Sequence, residues 1–109
     1  MSNGKYILDD AGNPKSCDDA IEWAEWMEKA DRRVALTEFD GGRVSTVFLG
    51  IDHAFGLAAP LLYETMIFGG PHSEEQWRYR TREAALAGHA DAVALAAGAS
   101  TKPSPEIVR

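Results

Sequence analysis

Hydrophobic positions along the chain change their spacing several times, and each change predicts an element. Ile21, Trp23, Ala24, Trp26, Met27, Ala30 and Val34 recur at helical intervals. Glu25–Lys29 and Glu28–Arg32 form i,i+4 pairs beside that stripe, with acids early and bases late as the helix dipole favours. The pattern predicts a helix over about residues 17–32, with Ser16 as its N-cap and Asp19 in a capping-box-like position. Val34 to Phe39 then reads as a strand, and Asp40-Gly41-Gly42 as a tight turn. From Arg43 to Ile51 the period is two, with Val44, Thr46 and Phe48 alternating against Ser45, Val47, Leu49 and Ile51. After a loop at Asp52 to Pro60, Leu61 to Phe68 alternates again, and Gly69-Gly70-Pro71 ends it.

The flanks complete the pattern. Lys5 to Leu8 is a short edge strand followed by a turn-rich stretch, and Gln76 to Arg80 is a short strand with Trp77 and Tyr79 on one face. Thr81 caps a second helix striped by Leu86, His89, Ala90, Val93 and Ala97 and stopped by Gly98. Gly88 inside it suits close approach to a sheet. The order β-α-β-β-β-β-α predicts an α+β fold, an antiparallel four- to five-stranded meander with two helices packed on one face. Residues 1–98 form one domain, and 99–109, with two prolines and no period, read as a disordered tail. Strands at 43–51 and 61–68 carry apolar residues on both faces, more than two helices on one side can cover. A homodimer or a protein partner over the second face is the expected remedy, with Phe48, Ile67 and Trp77 as its apolar contacts.

Charge adds a second surface. The net charge is −6, and residues 1–31 hold eight acids against three lysines. Asp18, Glu22 and Glu25 in this stretch are the candidates for meeting a basic partner. Direct binding to nucleic acid is not expected of an acidic chain, although Arg78, Arg80 and Arg82 interleave with Trp77 and Tyr79. The single Cys17 rules out an internal disulfide framework and fits a reducing compartment. No run of about 18 apolar residues offers a membrane span, and no leader pattern opens the chain, so a cytoplasmic location is expected.

Candidate chemistry is sparse. Asp52 and His53 in the loop, with Glu64 on the following strand and Glu38 nearby, form the best cluster for acid–base or ligand-binding work, since a carboxylate can orient an imidazole. A loop-ordering hydrogen bond is the plainer role for Asp52-His53. His53, His72 and His89 lie on separate elements without metal-ligand spacing, so neither a metal nor another cofactor is expected. Cys17, at the expected first turn of the helix, is a candidate for a lowered thiol pKa.

The segments DRRVALTEFDGGRVSTVFLGIDHAFG (31–56) and PLLYETMIFGGPHSEEQWRYRTREAALAGH (60–89) resemble a group of small proteins from actinobacterial-type phages and prophages. The resemblance spans roughly residues 4–95 and is most specific at RVSTVFLGIDH and ETMIFGG. It implies a mobile-element setting in a bacterial host, and no activity. Together with the acidic first third, it leads to the expectation of a protein-binding, non-enzymatic role, in its sharpest form an anti-CRISPR-like block of a host nucleic-acid-binding machine. A small-ligand binder or enzyme built on Asp52, His53 and Glu64 is the alternative.

Overall fold

The computed structural model of the protein describes residues 4–98. Its elements are β1 (Tyr6–Leu8), β2 (Pro14–Ser16), α1 (Ala20–Lys29), β3 (Arg33–Phe39), β4 (Gly42–Phe48), β5 (Tyr63–Phe68), β6 (Gln76–Tyr79) and α2 (Arg82–Ala96). Strands β3-β4-β5-β6 form an antiparallel meander in chain order, and both helices pack against it, as an α+β fold. β1 does not extend this sheet. It pairs with β2, a strand that the turn-rich sequence around Pro14 conceals, in a separate two-stranded ribbon. The ribbon is tied to the sheet's end where Lys5 bridges Ile51 and Tyr6 N donates to Gly50 O at 2.9 Å. The tail expected at 99–109 lies outside the described residues.

Alternation along the strands sorts the two sheet faces. Val44, Phe48, Tyr63, Ile67, Trp77 and Tyr79 point inward and form the core with Ala84, Ala85 and Ala92 of α2. Trp26 meets Phe48 edge-on at 5.7 Å between ring centres, which places α1 over the end of the same face. The outward rows run Arg33–Val47–Glu64–Arg78, Leu36–Ser45–Met66–Gln76 and Glu38–Arg43–Phe68. This corrects the expectation of two apolar faces. Val47, Met66 and Phe68 are apolar and half-buried, but charges of opposite sign stand across from each other among them. Arg78 Nε donates to Glu64 Oε2 at 3.0 Å, and the Arg43 guanidinium lies 4.7 Å from the centre of the Phe68 ring. Such pairs and stacked cations solvate a sheet face.

The first helix is shorter than its apolar stripe predicts. Ser16 ends β2, and the N-cap is Asp19, whose Oδ1 accepts from Ile21 N at 2.9 Å and Glu22 N at 3.1 Å. Asp19 therefore does the capping itself, in place of supporting a cap at Ser16. α2 begins as predicted, with Thr81 Oγ1 accepting from Ala84 N at 3.0 Å.

Candidate functional site

Gly50 closes the core end of the sheet and opens the loop that holds the best chemical cluster in the sequence. Its φ of 77° is the left-handed conformation that glycine tolerates, and Met27 occupies the space a side chain would fill. Trp23 Nε1 donates to Gly50 O at 3.0 Å, so α1 anchors this corner. Asp52 follows, buried, and its carboxylate staples the loop. Oδ1 accepts from Ala54 N at 2.7 Å and Leu61 N at 3.0 Å, and Oδ2 from Gly56 N at 3.3 Å. Burial alone would push this carboxyl up, but the three backbone N–H groups and the neighbouring His53 outweigh it and hold the pKa below the ordinary value. Asp52 is thus an ionised structural acceptor whose oxygens face its own loop.

His53 and Glu64 do not join it. His53 Nδ1 contacts Ile51 O at 3.0 Å, and its ring tilts against Phe55 at 5.9 Å between centres. Glu64 lies on the outer sheet face with Arg78. Glu38 is exposed on the same outer face, opposite Arg43. The loop-ordering role is the one the geometry supports: Asp52 positions backbone, and no proton relay runs from it to His53. The loop instead displays Phe55 and Leu57, 75% and 90% exposed. Phe55 sits at φ 53°, a conformation that costs a bulky residue strain of about 1–2 kcal/mol.

Of the partner-binding candidates, Asp18, Glu22 and Glu25 are exposed along the start and outer side of α1. Phe48, Ile67 and Trp77 are not available to a partner. At 1% exposure or less they sit on the inward side of the strands, because residues 48, 67 and 77 share the parity of the core rows under the helices. α1 itself contributes no buried residue, and Ile21 is 72% exposed. An open cleft of about 330 Å³ runs along the helix, lined by Glu22, Glu25, Trp26, Lys29 and Ala30.

Cys17 lies just before α1, and its thiol faces the Asp19 carbonyl at 3.5 Å and Glu22 Oε2 at 3.6 Å. Desolvation first, and then the Glu22 carboxylate, push its pKa up, so the activated thiolate expected at a helix start is not formed. Among the described residues no group of three or more His, Cys, Asp or Glu side chains is placed to hold a metal ion. No described helix is long and apolar enough to cross a membrane.

One polar cluster escaped the sequence reading. Beneath α2, His89 Nε2 meets Thr37 Oγ1 and Nδ1 meets Thr46 Oγ1, each at 2.8 Å, and Thr46 Oγ1 meets Thr65 Oγ1 at 2.5 Å. Burial lowers the His89 pKa, and the neutral ring is satisfied on both nitrogens by hydroxyls that can donate or accept. The parity of Thr37, Thr46 and Thr65 within the strands is the signal that could have found it. The Tyr79 hydroxyl ends beside Gly88 with Thr65 close by, and burial pushes its pKa up to about 12. These groups brace the core and are closed to solvent.

No family model, curated protein or solved structure matches the chain.

Proposed function

We propose that this protein is a non-enzymatic interaction domain, working in the cytoplasm of a phage-infected or lysogenic bacterium as a homodimer that binds a host or phage protein through the acidic side of α1. The observation that carries the reading is the character of that helix. Ten residues are held in place by Asp19, Trp23 and Trp26, yet none is buried, and Ile21, Glu22 and Glu25 face outward beside the cleft over Trp26. A helix that adds little to the core and presents one apolar side chain among acids fits recognition of a complementary surface. The complement is basic, and basic surfaces of this kind belong above all to nucleic-acid-binding proteins, so an anti-CRISPR-like or DNA-mimic action is the sharpest form of the proposal.

A catalytic or ligand-binding reading would need Asp52, His53 and Glu64 to converge. They do not, and the resemblance to phage proteins supports the interaction reading as a setting only.

The test is quantitative capture from host lysate with the wild-type chain and with an Asp18→Lys, Glu22→Lys, Glu25→Lys variant. The expected outcome is a protein retained by the wild type, lost with the variant, eluted by moderate salt and displaced by duplex DNA. Equal retention by both chains would remove α1 from the account. A melting-temperature shift with a metabolite, absent in a His53→Ala variant, would restore the ligand reading.

A further inference from the structure

We infer that two copies of this chain join edge to edge along β3, continuing the meander into an eight-stranded antiparallel sheet. The inference rests on the dimer reading above and names the surface that makes it.

β3 is one of two edges of the main sheet, and the edges differ. β6 has four residues and runs into the exposed Arg80, the short and charged form that resists pairing. β3 has seven residues, no proline and no lysine. Among the described elements only β4 and α2 pack against it, so its outer edge is open. Its one irregularity is a bulge between Arg33 and Ala35, which leaves Ala35 to Phe39 regular.

Register fixes which backbone groups point outward. Phe39 pairs with Gly42 across the two-residue turn Asp40-Gly41, and a pair closing so short a turn exchanges both of its hydrogen bonds. Hydrogen-bonded pairs then alternate back along the ladder, at Thr37–Val44 and Ala35–Thr46. Leu36 and Glu38, between them, turn their N–H and C=O groups to the open edge. An antiparallel two-fold through Thr37 sets Leu36 of each copy against Glu38 of the other, and all four outward groups of each strand are paired.

Charge selects a second copy in that orientation. The strand begins at Arg32-Arg33 and ends at Glu38 and Asp40. Asp31 lies beyond the basic end, capping the Arg33 N–H at 3.1 Å, and Arg43 stands opposite Glu38 within the chain. Antiparallel self-pairing brings the basic end of each strand to the acidic end of the other, twice by symmetry. Parallel pairing would set like charges together. Leu36, 39% exposed, stands across from Glu38 of the other copy and diagonal to its Leu36 on the outer face.

Sedimentation velocity over a range from low micromolar to near-millimolar protein tests the inference, with circular dichroism as the fold control. The wild type is expected to dimerise, and Arg33→Glu, which replaces the outward base at that end with an acid, to weaken the dimer about tenfold through two like-charge contacts. Adding Glu38→Arg to Arg33→Glu swaps the two outward charges of the strand and is expected to recover part of the dimer. The recovery is partial because Arg43 then faces a like charge within the chain. Leu36→Glu, on an exposed position, sets a like charge against Glu38 of the other copy twice and is expected to weaken it as well. Amide exchange at Leu36 and Glu38 slows as the dimer fills. A wild type that stays monomeric throughout overturns both the dimer reading and this inference. A wild-type dimer indifferent to both Arg33→Glu and Leu36→Glu overturns the β3 edge alone and returns the contact to another surface.

Discussion

The two helices invert what their sequences advertise. α1 has the broad apolar stripe, two tryptophans and well-ordered ion-pair spacing, yet it buries no residue. α2 is built largely of alanine and glycine, with no large aromatic side chain, and it buries Ala84, Ala85, Gly88, His89 and Ala92 against the sheet. The difference is distance. Small residues let a helix axis sink close to a sheet whose own strands supply the bulk, here Phe48, Tyr63, Trp77 and Tyr79. Large residues on α1 reach the sheet only at its corner, through Trp26 on Phe48 and Trp23 on Gly50. Side-chain size on a helix therefore says how far away it sits, not how deeply it is buried.

Gly88 is where that contrast breaks first. A β-carbon there would collide with the Tyr79 hydroxyl and ring, and Tyr79 is wholly buried with no room to swing aside. Gly88→Val is expected to destabilise the fold by about 3 kcal/mol, at the upper end for overpacking. Gly88→Ala should cost less, because the better helix propensity of alanine returns about 1 kcal/mol. Urea denaturation of the two variants measures both. A Gly88→Val chain as stable as the wild type would mean that α2 stands further from β6 than described.

A smaller effect follows from pH. His89 is held neutral by burial, so its folded pKa lies below the unfolded value of 6.5. Above that value the ring is neutral in both states and its full contribution is present. As pH falls below 6.5 the unfolded chain binds a proton that the folded chain resists, and stability declines until the lowered folded pKa is passed. The titratable group of α2 closest in sequence is Asp91, half-buried two residues on, while Thr37, Thr46 and Thr65 of the sheet are uncharged. Denaturation midpoints at pH 7.5 and pH 5 in the wild type and in His89→Gln check the assignment: the decline should be shallower in the variant, and an equal decline would place its source elsewhere.

Much of this contrast was legible in the residues, and the part that was not has a physical cause. Period-two alternation located β4 and β5, Asp40-Gly41-Gly42 located the hairpin, and Gly88 pointed to a close approach, because each reflects local geometry that any fold must respect. Which face of β4 and β5 lies inward is settled by the helices, so Phe48 and Ile67 could be placed on a strand but not on a side. The same gap hid the cluster of Thr37, Thr46 and Thr65, which come together only when His89 is set above them. β2 escaped because Pro14 reads as a turn, while its partner β1 makes the strand. In the loop, Asp52-His53 has the composition of an active site and the geometry of a staple; only the backbone N–H groups of Ala54, Gly56 and Leu61, invisible in sequence, separate the two.

The smallest expected effect is the sharpest on α1. Ile21→Glu changes the first turn of a helix at a position 72% exposed, where little apolar area leaves water on folding. A glutamate there also lies at the positive end of the helix dipole, beside the Asp19 cap, where an acid is favoured. These terms oppose each other, and the net change in stability should fall within about 0.5 kcal/mol of zero, as for other surface positions. Native-state hydrogen exchange extends the same logic to the whole element. Amides of α1 are expected to exchange through local opening, at free energies well below those of the α2 amides near Ala85 and Ala92, because so little of α1 is locked into the core. Equal protection of both helices, or a large loss on Ile21→Glu, would mean that something covers the outer side of α1 in solution, and the contrast between the two helices would then belong to the isolated chain alone.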